Sequence, residues 1–154
     1  QSPRKAPTPA CSKAARVASR SIAAPSFTLQ VRHQSAVNHT KTGRPLADIG
    51  NSIGAFAKKN RYTLITNLAS HGVGRSLHEE PTELSTWPDP DETRVMEEGL
   101  VFTIEPFLSL GGQWAEDGEK DDWTLYSEPR APTVQFEHTI VVTRNGPLVL
   151  TLAD

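Results

Sequence analysis

Four side chains with metal-binding or catalytic chemistry interrupt small-residue or apolar stretches of this sequence. His71 precedes a glycine in the run SHGVGRSLHEEP, which ends with a second histidine, His78, and an acidic pair before proline. Glu105 lies in the apolar run FTIEP, and Glu137 lies in QFEHTIVV. Because an unpaired buried carboxylate costs several kcal/mol, such groups are normally paired or bound to a metal.

His71, Glu105 and Glu137 form a nitrogen and oxygen ligand set without a thiolate. Such a set suits Mn, Fe, Co or Zn, and a bound ion of this kind supports amide hydrolysis. A lone histidine beside a loop is more often structural. Strand periodicity places Glu105 on the face of Thr103 and Glu137 on the face of Gln135, which suits a polar cleft and solvent exposure equally. Spacing alone therefore leaves both interpretations open.

The elements that must position these residues are predicted from periodicity and composition. Apolar residues recur at helical spacing over 46–57, and two lysines follow where they suit the helix dipole. Prolines predict an irregular surface loop over 79–93, and Asn145-Gly146 predicts a terminal hairpin. β-Branched and aromatic residues predict extended segments over 62–69, 100–105, 133–143 and 148–152. The predicted fold class is α+β with an antiparallel sheet.

The composition sets limits on the class of protein. The chain has 154 residues, the size of one domain. Its mean hydropathy is -0.44, and it contains no apolar run near the ~20 residues that a membrane-spanning helix needs, which argues against a membrane protein. Cys11 is the only cysteine, so an internal disulfide and a zinc site of the CxxC type are excluded.

The charges are distributed unequally along the chain. Residues 1–47 contain eight Lys or Arg and no acid, although the whole chain has 18 Asp and Glu. This pattern is typical of an organellar transit peptide. The alternatives are a disordered tail, a basic arm for an acidic partner, and sequence read out of context. We expect residues 1–42 to be a leader that is disordered or out of context. Specific nucleic-acid binding is not expected, because Phe27 is the only aromatic residue there.

Four stretches, in this order, carry a specific family resemblance: GRPLADIG (43–50), SHGVGRSLHEEP (70–81), EEGLVFTIEP (97–106) and QFEHTIVVT (135–143). They resemble the C-terminal half of type I methionine aminopeptidases, in peptidase family M24. The resemblance implies that residues 43–154 form the catalytic region. It also implies the C-terminal half of the pita-bread fold, with a curved antiparallel sheet and a flanking helix.

The resemblance also implies roles for individual residues. His71, Glu105 and Glu137 would ligate a dinuclear centre of Co, Mn, Fe or Zn, in which Glu137 bridges both ions. His78 would contact the scissile peptide and stabilise the transition state, and Glu105 would assist proton transfer. Trp123 would flank the pocket for the methionine side chain. The implied catalytic residues are thus His78 and Glu105, and the implied substrate-binding residues are His78 and Trp123.

The implied activity is removal of the initiator methionine from nascent polypeptides. The expected partners are nascent chains and the ribosome, without a membrane, and the expected location is the cytoplasm, or an organelle if the leader is a transit peptide. Complete family members supply two further aspartate ligands from an N-terminal half, whereas residues 1–47 contain no acid. We therefore expect weak or single-metal binding and little or no activity. The alternatives are a non-catalytic peptide-binding module and a truncated or frame-disrupted product.

Overall fold

The computed structural model describes residues 36–118, 121 and 123–152. In these ranges the predicted helix is present as Ala47–Asn60 (α1). The strands are β1 (Thr63–Leu64), β2 (Ser70–Gly72), β3 (Glu79–Leu84), β4 (Val101–Ile104), β5 (Phe107–Ser109), β6 (Trp114–Asp117), β7 (Leu125–Glu128), β8 (Thr133–Gln135), β9 (His138–Thr143) and β10 (Gly146–Val149). None of the helices in the described ranges is long and apolar enough to cross a membrane.

The strands form three antiparallel arrangements. The largest is a five-stranded sheet with the order β10-β9-β4-β2-β3, so that β4 lies at its centre. A second sheet has the order β1-β5-β8, and β6 pairs with β7 in a hairpin. All pairs are antiparallel, as predicted.

Two of the points at which the chain crosses between the two larger sheets lie close to the candidate site. After β4 it passes through Glu105 and Pro106 into β5, and after β8 it passes through Phe136 and Glu137 into β9. Ile104 pairs with His138 on one side of these crossings, and Phe107 pairs with Gln135 on the other. The two breaks therefore lie opposite each other and bring both glutamates to one junction. The single strand predicted over 133–143 is wrong, because the chain changes sheets at this point.

Helix α1 packs its apolar stripe on the five-stranded sheet. Ile49 and Ile53 are buried in one cluster with Phe102 and Ile140, which confirms the predicted amphipathic helix. Arg61 adopts a left-handed conformation and closes the helix end. The helix thus covers the sheet that carries the candidate ligands.

Three sequence predictions differ from the structure in extent. The segment 79–84 is a strand, β3, and not part of an irregular loop; Pro81 is tolerated there because β3 lies at the sheet edge. Only Thr63–Leu64 is a strand within 62–69, since the backbone N–H groups of the next two residues bond to Phe107 and then to Gln113 and do not continue one ladder. The terminal hairpin is confirmed, but its second strand is Gly146–Val149 and not 148–152.

Most of the predicted leader, residues 1–35, lies outside the described residues. The remainder contributes to the packed core. Ala36, Val37 and Thr40 are fully buried, and the first two belong to the cluster beneath α1.

Candidate metal centre

His71 and Glu105 meet in the buried part of the junction. His71 lies in the middle of β2 and is 4% exposed, whereas Glu105 follows β4 and is 6% exposed. Gly72 pairs with Phe102, which sets the two strands side by side. The distance from His71 Nε2 to Glu105 Oε1 is 3.3 Å. The structure therefore brings together two residues that are far apart in the chain.

The hydrogen bond at the other ring nitrogen defines which atom of His71 is available as a ligand. Nδ1 lies 2.9 Å from the carbonyl oxygen of Gly72. Because a carbonyl oxygen can only accept, Nδ1 carries the proton in the neutral ring and Nε2 has a lone pair. This lone pair faces an oxygen of Glu105, so that a proton or a cation has to lie between the two atoms. Imidazole nitrogen and carboxylate oxygen are suitable ligands for Zn, Mn, Fe or Co.

Glu137 is connected to the buried pair through Gln135. The side-chain amide of Gln135 donates to Glu105 Oε2 and to Glu137 Oε2, at 3.3 Å in each case. Glu137 itself is exposed to solvent. In the described part of the chain, no group of three His, Cys, Asp or Glu side chains is arranged to hold a metal ion. His71 and Glu105 are thus in contact, and Glu137 approaches them across one intervening amide.

The electrostatic environment disfavours a charged Glu105 in the absence of a cation. Burial, together with the smaller effect of the nearby Glu137 carboxylate, raises the pKa of Glu105 from its ordinary value of 4.5 to about 7. Hydrogen bonds from Thr103 and Gln135 act in the opposite direction. A divalent cation at this position would compensate both carboxylates, as the chemistry of the ligand set requires.

Thr103 and Ser70 also belong to the site, although the sequence analysis did not assign them to it. Thr103 Oγ1 donates to Glu105 Oε1 at 2.9 Å and accepts from the backbone N–H of His71 at 3.2 Å. The backbone N–H of Glu105 donates to Ser70 Oγ at 3.0 Å. Strand periodicity placed Thr103 on the face of Glu105 and Gln135 on the face of Glu137. This shared face was the sequence signal that could have assigned Thr103 and Gln135 to the site.

The ring of His78 lies beside that of His71, a contact that the sequence analysis did not predict. The ring centroids are 3.9 Å apart and the ring planes are inclined by 46°. The close approach of β3 to β2 depends on Gly72, because a Cβ atom there would lie 2.3 Å from the carbonyl oxygen of Glu80. The glycine thus allows the segment after the motif to fold back beside the histidine.

Trp123 lies away from the buried pair, in the connection between β6 and β7. It is 60% exposed, and its backbone N–H donates to Asp121. The hairpin that carries it packs through Ala115 and Leu125 against Phe107, at the start of β5. The structure therefore places Trp123 on the surface of a hairpin that adjoins the junction.

Comparisons with known proteins agree with this architecture. Residues 26–144 match the family model of metallopeptidase family M24. A methionine aminopeptidase from Staphylococcus epidermidis is 37% identical over 121 residues, which cover 79% of this chain and 48% of that protein.

Two crystal structures of methionine aminopeptidases are similar to the fold. That from Rickettsia prowazekii has a TM-score of 0.74 at 30% identity, over 83% of this chain and 52% of the other. That from Thermotoga maritima has a TM-score of 0.74 at 31% identity, over 80% and 49%. These similarities confirm the predicted pita-bread fold, and the chain spans about half the length of the relatives it matches. With the family match extending over residues 26–144, the chain belongs to metallopeptidase family M24.

Proposed function

We propose that this chain carries the metal-binding half of a methionine aminopeptidase, an enzyme that hydrolyses the peptide bond after an N-terminal methionine. The observation that carries the proposal is the buried contact of 3.3 Å between His71 Nε2 and Glu105 Oε1. Because Nδ1 of His71 carries the proton of the neutral ring, Nε2 has a lone pair that faces Glu105. The side-chain amide of Gln135 bonds to both Glu105 and Glu137 and so connects the two carboxylates. Membership of a metallopeptidase family supports the same chemistry.

His71 through Nε2, and Glu105 and Glu137 through their carboxylates, would hold the divalent ion, which is Co, Mn, Fe or Zn. A bound ion of this kind polarises a carbonyl oxygen and lowers the pKa of bound water. A complete site in this family would hold two ions. We propose single or weak binding here, since residues 1–47 contain no carboxylate side chain.

The protein's own side chains supply the remaining functions. His78 lies beside His71 and would donate a hydrogen bond to the substrate carbonyl oxygen as negative charge develops on it. Glu105, next to the proposed ion, would assist proton transfer to or from the substrate. Trp123 presents an exposed aromatic surface that would flank the methionine side chain.

The proposed substrates are nascent polypeptides with an N-terminal methionine, in the cytoplasm. Residues 1–47 are basic and free of acids, which suits association with the phosphate-rich surface of a ribosome. If the segment is a transit peptide, the activity would be in an organelle.

Isothermal titration calorimetry with Mn²⁺, Co²⁺ and Zn²⁺ tests the metal site directly. We expect binding by the unaltered chain and strongly reduced binding by His71→Ala and Glu137→Ala. The matched control is Glu116→Ala, which removes an exposed carboxylate from β6. Equal binding by all variants would contradict the proposed ligands. Binding of a peptide without binding of any of these metals would favour the peptide-binding module.

Release of methionine from a Met-Gly-X peptide, with and without added Mn²⁺ or Co²⁺, tests the activity. We expect very weak or no release by the 154-residue chain, because the proposed ligand set lacks further carboxylates from residues 1–47. Robust release would contradict the expected impairment. Release that does not depend on metal, or that survives Glu105→Ala, would contradict the proposed mechanism.

A further inference from the structure

We infer that Thr103 is a positioning residue that holds His71 and Glu105 in a ligating arrangement, because its hydroxyl group bonds to both residues. This inference rests on the proposed metal-binding function. It concerns a side chain that would not touch the ion itself.

The hydroxyl of Thr103 has one proton and three neighbouring groups. Glu105 Oε1 is 2.9 Å away, while the backbone oxygen of His71 is 3.4 Å away. The proton therefore goes to the carboxylate, which is nearer and forms a charge-assisted bond when it is ionised. The lone pairs of the hydroxyl then accept the N–H of His71 at 3.2 Å. Thr103 is 2% exposed, so water does not replace these partners readily.

The bonded carboxylate oxygen is the one that matters for the site. Glu105 Oε1 accepts from Thr103 and also faces His71 Nε2 at 3.3 Å. One hydroxyl group thus restrains the rotation of the Glu105 carboxylate and the position of the His71 backbone. Loss of the hydroxyl would release both restraints together.

Next to the site, β2 and the end of β4 are linked by hydrogen bonds to side-chain hydroxyl groups and not by backbone pairing alone. In the described residues, the register of β2 with β4 is defined by Gly72 opposite Phe102. Further along, the His71 N–H bonds to the Thr103 hydroxyl, and the Glu105 N–H bonds to the Ser70 hydroxyl. These two bonds run in opposite directions between the strands. The distance between the proposed ligands therefore depends on side-chain hydroxyls, and a substitution at Thr103 can change it without removing a ligand.

The test separates the hydroxyl group from the bulk of the side chain. Thr103→Ser keeps the hydroxyl, Thr103→Ala removes it from an otherwise matched small side chain, and Thr103→Val keeps the shape without it. Thr133→Val is the control, since Thr133 is a buried threonine of β8 whose hydroxyl bonds to Ser109. Each full-length variant is titrated with Mn²⁺ by calorimetry, and its thermal unfolding is measured without metal.

We expect the alanine and valine variants to bind Mn²⁺ about 10- to 100-fold more weakly, the usual effect of losing a partner of a metal ligand. The serine variant should stay within about threefold of the unaltered chain, and Thr133→Val should bind normally. If valine prevents folding, the comparison of serine with alanine decides the question.

Equal weakening by serine and alanine would overturn the inference, as would normal binding by the alanine variant. If the unaltered chain binds neither Mn²⁺, Co²⁺ nor Zn²⁺, the proposed function fails, and the inference fails with it. That result is distinguishable from tight binding that is insensitive to Thr103.

Discussion

Replacing Glu105 with glutamine should alter how the stability of the metal-free protein depends on pH. Burial, with a further contribution from Glu137, raises the pKa of Glu105 from 4.5 to about 7. Between these values the folded state holds a proton that the unfolded state has lost. The resulting stabilisation is complete below about pH 4.5 and is lost as the pH rises through about 7. The separation of the two pKa values corresponds to about 3 kcal/mol of unfolding free energy.

Glutamine is neutral at every pH and still accepts the hydrogen bond from Thr103. The free energy of unfolding, measured by urea titration after chelation of metals, should therefore depend less on pH in Glu105→Gln. We expect the difference between the variant and the unaltered chain to change by about 3 kcal/mol between pH 4 and pH 8, in favour of the variant at high pH. Taking this difference removes the contributions of histidines that titrate in both proteins.

Two variants serve as comparisons in the same experiment. Glu137→Gln should reduce the pH dependence of the unfolding free energy only in part. Burial is the larger cause of the raised pKa of Glu105, and the charge of Glu137 is the smaller one. Glu116→Gln, on an exposed position of β6, should behave as the unaltered chain does. The difference in unfolding free energy between Glu105→Gln and the unaltered chain could instead be the same at pH 4 and pH 8. That result would refute the raised pKa of Glu105.

Two further predictions concern the packing that supports the site. Gly72→Ala should lower the unfolding free energy by about 1–3 kcal/mol, as overpacking does, because the added Cβ would lie 2.3 Å from the Glu80 carbonyl oxygen; unchanged urea unfolding would contradict the close contact of β2 with β3. Ile140→Val removes one methylene from a fully buried position and should cost about 0.5–1.5 kcal/mol with an unchanged urea m-value; a cost near zero would show that this part of the sheet is loosely packed.

The helix and five of the ten strands (β1, β4, β8, β9 and β10) were predictable because their signals are local. The apolar stripe of α1 has helical spacing, and its basic last turn is visible in the sequence. The break at Phe136 and Glu137 was not visible, since β-branched and aromatic residues continue on both sides of it. The break arises where the chain leaves one sheet for another, and this depends on partners distant in sequence. The strand at 79–84 was missed for a related reason, because Pro81 is compatible with a strand only at a sheet edge.

The proposed ligands could be identified from the sequence more readily than the groups that hold them. A histidine beside glycine and two acids in apolar strands are unusual residue choices, and the family resemblance adds their order. The role of Thr103 depends on which backbone N–H lies opposite its hydroxyl. Periodicity indicates a face, but it does not indicate the register between β2 and β4. Gln135 lies between the two glutamates only because the connection from β4 to β5 and the connection from β8 to β9 lie opposite each other. This arrangement is not visible in the sequence.

The two crossings place chemically identical side chains in different environments, and this difference favours different roles. Glu105 is enclosed between β4 and β5 and has a raised pKa, whereas Glu137 remains exposed at the edge of the same junction. In the metal-free protein the buried carboxylate gains a proton near neutral pH, which it has to release when it binds an ion, whereas the exposed carboxylate is open to a cation arriving from solution. Exchanging the two environments would require moving the sheet crossings, because both positions follow from where β4 and β8 end. The division of roles is therefore a consequence of the topology and not of the residue type.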